Sequence, residues 1–229
     1  MRTKHAIITG AGGGLGTAVL EKYLSMGYYV SATVEYGRSL ESRPGLDVYE
    51  LDVTDERACM EFVQEVAGAR GGVDTALLLV GGFAMGDIES THTMNLEKMY
   101  QLNFLSAYHI ARPVFGFMSR QQEGGRIVMV GARPALKHAD AKKMIAYSLS
   151  KGQVMQFDDI LNAAGKEHDV HCAVVVPGTI DTPGNRASMP DADWSRWASP
   201  ADIAEVMAFA TDGAGRILRE TVLKVYNQS

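Results

Sequence analysis

His5-Ala6-Ile7-Ile8-Thr9-Gly10-Ala11-Gly12-Gly13-Gly14-Leu15-Gly16 decides how this chain folds. An apolar, strand-like run leads straight into a glycine-rich turn, and a helical pattern of apolar residues begins at Leu15. Glycine lets the backbone turn tightly and approach a pyrophosphate with no Cβ in the way. The helix that follows offers unpaired N–H groups and the positive end of its dipole to the phosphates. Gly16 lets that helix pack closely on the strand. A glycine-rich turn alone is also what an ordinary tight turn looks like. Its place between the first strand and the first helix is the context that a dinucleotide site requires.

Outward from this stretch, short apolar runs alternate with longer segments of helical periodicity, the pattern of βαβ units around a parallel sheet. The predicted strands are His5–Thr9, Tyr28–Val34, Val48–Leu51, Thr75–Val80, Arg126–Val130, His171–Val176 and Val222–Tyr226. The predicted helices are Leu15–Met26, Glu56–Ala67, Leu96–Arg120, Met144–Ala164 and Pro200–Thr211. Between the second and third strands, Gly37, Pro44 and Gly45 leave room for a loop or one short turn and not for a crossover helix. The expected fold is α/β: a Rossmann-type, doubly wound, mostly parallel seven-stranded sheet with helices on both faces. A length of 229 residues suits one such domain spanning 1–229.

Composition narrows the function. A hydrophobic share of 46% and a charged share of 21% are ordinary for a globular protein. The net charge of -5 provides no basic field for a polyanion, so nucleic acid is not an expected partner. Cys59 and Cys172 stand far apart and read as small core residues; no metal-ligand spacing occurs. No apolar run approaches the ~20 residues that cross a bilayer, and the basic start lacks the apolar length of a signal peptide. No membrane association is expected, and a cytoplasmic location is the default.

Tyr147 and Lys151 are the candidate catalytic pair. Residues at i and i+4 share one helix face, so both side chains can enter one site. A free tyrosine holds its proton too firmly to relay it well at neutral pH, with a pKa of about 10. An ammonium nearby favours the phenolate and is expected to lower that value. Tyr147 can then act as a general acid, supplying the proton that balances an incoming hydride. Taken alone the spacing also fits a solvated helix face; its position just beyond a strand, well after the glycine loop, favours the site.

The spacing Thr9-Gly10-x-x-x-Gly14-x-Gly16, together with Tyr147-x-x-x-Lys151, resembles the short-chain dehydrogenase/reductase family. The resemblance implies that Gly10, Gly14, Leu15 and Gly16 cradle the cofactor phosphates, that Asp52 and Val53 meet the adenine, and that Gly81 and Gly82 border the cofactor. It implies that Lys151 also holds the nicotinamide ribose, that Asn103 helps hold a proton-relay water, and that Thr182 of Pro177-Gly178-Thr179-Ile180-Asp181-Thr182 contacts the carboxamide. The two long helices resemble those that pair subunits in the family, implying a homodimer or homotetramer. Met94, Met99, Leu102, Leu105 and Tyr108 give one helix an apolar face, which core packing within one chain would equally explain.

Most of the family places a serine about 13 residues before the tyrosine, where its hydroxyl polarises a carbonyl, an oxyanion-type role. Here no serine or threonine lies between Ser119 and Ser148, and Ala132, at the strand end 15 residues before Tyr147, stands at the likely serine position. Within the family, the dihydropteridine reductase type also lacks the serine and keeps tyrosine and lysine. Gly81-Gly82-Phe83, Gly131-Ala132-Arg133-Pro134-Ala135-Leu136 and Asp181-Thr182-Pro183-Gly184-Asn185-Arg186-Ala187-Ser188-Met189-Pro190-Asp191-Ala192-Asp193-Trp194 resemble its segments most closely. The last of these reads as a substrate loop or lid. Phe83 replaces a tryptophan, keeping a flat stacking surface without the indole N–H. The segment between Ala132 and Tyr147 is longer than in that reductase and carries Lys137, His138, Asp140, Lys142 and Lys143, so substrate choice can differ.

The expected activity is therefore NAD(P)H-dependent reduction of a small molecule resembling a quinonoid dihydropteridine, in a pocket shaped by Phe83, Ala132, Met144 and Trp194. The alternatives are a carbonyl or alcohol oxidoreductase, or a dinucleotide-binding protein without chemistry. Glu35, just past the second strand, could repel the extra phosphate of NADP(H); with the resemblance, it tips the expectation toward NAD(H). Arg38 could equally reach that phosphate.

Overall fold

The computed structural model describes residues 2–229. Seven strands form one sheet in the order β3-β2-β1-β4-β5-β6-β7. They are β1 (His5–Thr9), β2 (Tyr29–Val34), β3 (Leu46–Glu50), β4 (Thr75–Leu78), β5 (Gly125–Val130), β6 (Val170–Pro177) and β7 (Thr221–Val225). Every neighbouring pair runs parallel, so the sheet is wholly and not mostly parallel. β1 is buried along its whole length and β6 likewise, as strands covered on both faces must be.

Helices α1 (Gly14–Ser25), α2 (Glu56–Arg70), α3 (Thr93–Tyr100), α4 (Ser106–Met118), α5 (Arg133–Leu136), α6 (Ile145–Gly165), α7 (Pro183–Ser188) and α8 (Pro200–Thr211) complete the fold. Two apolar cores lie on opposite faces of the sheet. In one, Val63, Ile110, Val114 and Val154 from α2, α4 and α6 cover Ile7, Ile127 and Val174. In the other, Val19 and Leu20 of α1 and Ile203 and Met207 of α8 cover Ile8, Leu77 and Val175. Burying such side chains contributes about 1.5–3 kcal/mol each, and this term holds the layers together. Cys59 and Cys172 are free and buried within the first core. No helix among the described residues is long and apolar enough to cross a membrane.

The crossover from β2 to β3 has no helix, as Gly37, Pro44 and Gly45 led one to expect. Gly37 (φ +78°) and Gly45 (φ +84°) adopt the left-handed backbone that makes the short return feasible. The expected single helix Leu96–Arg120 is instead three pieces. α3 passes into a π-helical turn, Gln101–Leu105, before α4 begins. The extra residue in that turn carries Asn103 toward the sheet. The expected strand Thr75–Val80 stops at Leu78, because the chain leaves the sheet to make Val80-Gly81-Gly82.

Candidate active site

β1 has β2 on one side and β4 on the other, so the crossovers diverge between β1 and β4. In an open α/β sheet, ligands bind beyond the carboxyl ends of the strands at such a point. The glycine loop leaves β1 there. Gly10 has φ +68°, and a Cβ on Gly16 would lie 2.1 Å from the Gly10 carbonyl oxygen and 2.8 Å from Ala11 Cα. No side chain caps the N-terminus of α1, whose N-cap is Gly13. Its first N–H groups thus form an anion cradle that larger residues would fill. Thr182 caps α7 by accepting from Asn185 N, and its methyl group lies 2.7 Å from where a Gly14 Cβ would stand. The segment after β6 therefore closes onto the start of α1.

A cleft of about 670 Å³ runs from this loop, lined by Gly10, Gly12, Val34, Glu35, Arg38, Asp52, Val53 and Gly81 among others. Its shape and glycine floor fit a dinucleotide. Asp52 lies just past β3; its carboxylate accepts from Thr54 N at 2.9 Å and from Thr54 Oγ1 at 2.7 Å, which holds it below the usual carboxylate range. Glu35 and Tyr36 are exposed at one end of the cleft. The Arg38 stem passes 3.3 Å from a notional Gly12 Cβ.

At the other end, Asn103 is buried in the π turn and grips the β4 exit from both sides. Its Oδ1 accepts from Gly82 N at 2.9 Å, and its Nδ2 donates to Gly82 O and to Ser150 Oγ, both at 3.0 Å. Ser150 Oγ in turn donates to the Tyr147 carbonyl at 2.8 Å. A Cβ on Gly81 would lie 2.7 Å from Asn103 Oδ1 and 3.2 Å from Lys151 Nζ, so these groups converge. Lys151 Nζ donates to Val130 O at 2.7 Å, and burial brings its ammonium down to about 8. Tyr147 stands one turn earlier on α6. The Phe83 ring meets its ring edge-on, with centroids 5.1 Å apart.

One electrostatic expectation is corrected. Tyr147 was expected to titrate low beside an ammonium. Instead burial pushes its phenol up to about 12, and no charge offsets that effect. The Lys151 ammonium, bonded to the Val130 carbonyl, loses its proton near 8, before the phenol titrates, so no charge remains on it to draw the phenol down.

The short chain dehydrogenase family model matches residues 4–193. The chain belongs to the short-chain dehydrogenase family. Among curated short-chain dehydrogenases and their relatives, it is 28% identical to acetoacetyl-CoA reductase of Acinetobacter sp. (strain RA3849), over 97% of this chain and 96% of the relative. It is 26% identical to 2,3-dihydro-2,3-dihydroxybenzoate dehydrogenase of Bacillus subtilis (strain 168), over 89% of this chain and 77% of the relative. Among solved structures, ElxO with NADP bound superposes with a TM-score of 0.89 at 21% identity, covering 98% of each chain. Thermoplasma acidophilum aldohexose dehydrogenase, ligand-free, gives 0.85 at 22% identity, over 99% of this chain and 94% of that one. These two likenesses concern the fold.

In this short-chain dehydrogenase Gly10, Glu35, Asp52, Val53 and Gly81 line the cleft; Gly14, Gly16, Gly82 and Thr182 stand beside it, whereas the Leu15 side chain packs against the core under α1. Asn103, Tyr147 and Lys151 gather at its inner end. Ala132 is buried just past β5, and Met144 precedes α6, bridged to Gly86. Trp194 is held within its own segment. Its Nε1 donates to Met189 O at 3.0 Å, Arg186 lies over its ring at 4.6 Å, and Trp197 is the neighbouring aromatic. It therefore braces the α7 segment. Ser150 escaped sequence reasoning, although its place one residue before Lys151 could have suggested it.

Proposed function

We propose that this chain is an NAD(P)H-dependent reductase in which Tyr147 donates the proton accompanying hydride transfer to a flat, electron-poor ring of the quinonoid dihydropteridine kind. A bound nicotinamide cofactor supplies the hydride. The substrate gains that hydride and one proton, and solvent returns the proton to Tyr147. The uncapped start of α1, with Gly14, Leu15 and Gly16, holds the pyrophosphate; Asp52 and Val53 border the adenine. Lys151 holds the nicotinamide ribose, and Thr182 faces the carboxamide. Asn103 fixes the Gly81-Gly82 backbone beside it.

The observation that carries the reading is Ala132. It is 3% exposed at the end of β5, where this family commonly offers a hydroxyl to a carbonyl, while the groups around Tyr147 are complete. A quinonoid diimine accepts hydride without such a donor. Phe83, 60% exposed and packed edge-on to Tyr147, offers a face on which such a ring can stack. With its phenol raised by burial, Tyr147 is protonated at neutral pH, the state a proton donor requires.

Reduction of a carbonyl is the second reading, favoured by the names of the curated relatives, which include acetoacetyl-CoA reductases. Either nicotinamide is compatible with the cleft. Preference for NAD(H) rests on Glu35, whereas Arg38 beside Gly12 and the NADP held by ElxO support NADP(H). The subunit contact is proposed at the groove lined by Leu96, Tyr100, Ala146 and Leu149, between α3 and α6, making a homodimer.

Mixing the protein with NADH or NADPH and a chemically generated quinonoid dihydropterin, then following cofactor absorbance, tests this. Rapid oxidation supports the pterin reading. Turnover confined to β-keto substrates replaces it with the second, and the better cofactor separates Glu35 from Arg38.

A further inference from the structure

We infer that the substrate carries an anionic group, a carboxylate or a phosphate, received by Lys137, Lys142 and Lys143 at the mouth of the site. This rests on the reading of Tyr147 as the centre of an NAD(P)H-dependent reductase. It adds a feature of the substrate that the ring alone does not specify.

The chain as a whole is acidic, with 22 basic against 27 acidic residues. Residues 133–143 reverse that balance: Arg133, Lys137, Lys142 and Lys143 share one acid, Asp140. That acid is already engaged, because Arg133 Nε faces Asp140 Oδ2 at 3.1 Å. The other end of Arg133 donates to Ser229 O at 2.9 Å. The three lysines are exposed, and among the described residues none of them forms an ion pair.

Position turns this charge into a receptor. The lysine segment is stitched to the β4 exit strip: Gly86 N donates to Lys143 O at 2.8 Å, and Ile145 N donates to Gly86 O at 3.0 Å. That strip carries Phe83 against Tyr147, with Met85 61% exposed beside it. Lys143 is therefore joined to the strip that holds Phe83 against Tyr147, and Lys142 directly precedes it. None of the three lysines lines the cleft assigned to the cofactor, so the cofactor phosphates do not explain them. Three like charges held on one short segment repel one another, and an anion arriving with the substrate relieves that repulsion. Such a field at a cleft mouth also concentrates anions and speeds their capture.

Two matched pairs test the inference, each differing by one carboxylate. One is a quinonoid dihydropterin bearing a methyl or a carboxylate side chain; the other is a β-keto methyl ester and its free acid. The ratio of kcat/KM, anionic over neutral, is measured on the intact protein with its better cofactor. A ratio of roughly ten or more is expected at low salt, carried by KM. It should collapse toward unity at high salt and in the K137Q/K142Q/K143Q variant. Lys166→Gln, beyond the far end of α6, should leave it unchanged. A ratio near unity, or one the triple variant does not alter, overturns the inference. Turnover of the β-keto pair alone removes the pterin reading and still reads the lysines. Should neither pair turn over, calorimetric affinities of the four compounds for the cofactor-loaded protein give the same ratio, and equal affinities overturn the inference.

Discussion

Asp158 shows how much of this molecule's behaviour is set by single buried groups. It lies on α6 two turns beyond Lys151, 1% exposed, with Oδ2 taking a hydrogen bond from Asn162 and Oδ1 taking none. Burial, reinforced by the charges of Asp159 and Glu220, pushes its carboxyl up to about 7. Below about pH 4 both folded and unfolded chains hold the proton, and the site is neutral in its effect. As pH rises, the unfolded chain ionises first, so stability falls until the folded carboxyl ionises near 7; the loss is on the order of a few kcal/mol. Asp158→Asn should therefore raise the melting temperature at pH 8 and change it little at pH 4, as read by thermal denaturation. Equal effects at both pH values would mean the carboxyl is not held neutral. Sequence alone gave no hint of this, since one Asp on an amphipathic helix reads as solvated. The helical i, i+4 spacing of Tyr147 and Lys151, by contrast, was legible, and both stand on α6, but the titration of Tyr147 was not. Burial acts on both, and a linear sequence does not show burial.

At the level of elements, the glycine loop was legible because close approach leaves few residues to choose from. A Cβ on Gly16 would come within 2.1 Å of the Gly10 carbonyl oxygen, so Gly16→Ala must push α1 away from β1. Such overpacking costs about 1–3 kcal/mol, and because it displaces the N–H cradle, NAD(P)H affinity should fall more than tenfold, by roughly the same energy. Fluorescence titration of NADPH would check this; unchanged affinity would mean that the cradle is not where phosphate binds. The π turn at Gln101–Leu105 was not legible. One added residue per turn leaves the apolar period of the flanking helices nearly intact, and its cause is tertiary: Asn103 must reach both polar groups of Gly82. The short helices α5 and α7 were also missed, although Pro134 and Pro183 in their first turns are start signals.

For the whole molecule, alternation of buried runs with helical periods was enough to anticipate a seven-stranded, two-faced sheet. It was enough because a parallel strand covered on both sides admits few polar residues. Assembly was harder to read. Met99, whose apolar face either a subunit contact or core packing would explain, is buried against Asn103, whereas Leu149 is 59% exposed and borders the α3–α6 groove. An apolar rim of this kind should pair with a second copy, so Leu149→Arg is expected to shift the mass seen by light scattering from dimer to monomer. A wild-type monomer at micromolar concentration would contradict that assignment.

The central claim is that Tyr147 donates the proton in a hydride transfer. Its most direct test is single-turnover oxidation of NAD(P)H by wild type and Tyr147→Phe, with cofactor affinity measured on both. The account predicts unchanged affinity and a rate reduced by about 10²–10⁴-fold, the usual contribution of a positioned general acid. Equal rates in the two proteins would contradict it and move the proton donor elsewhere.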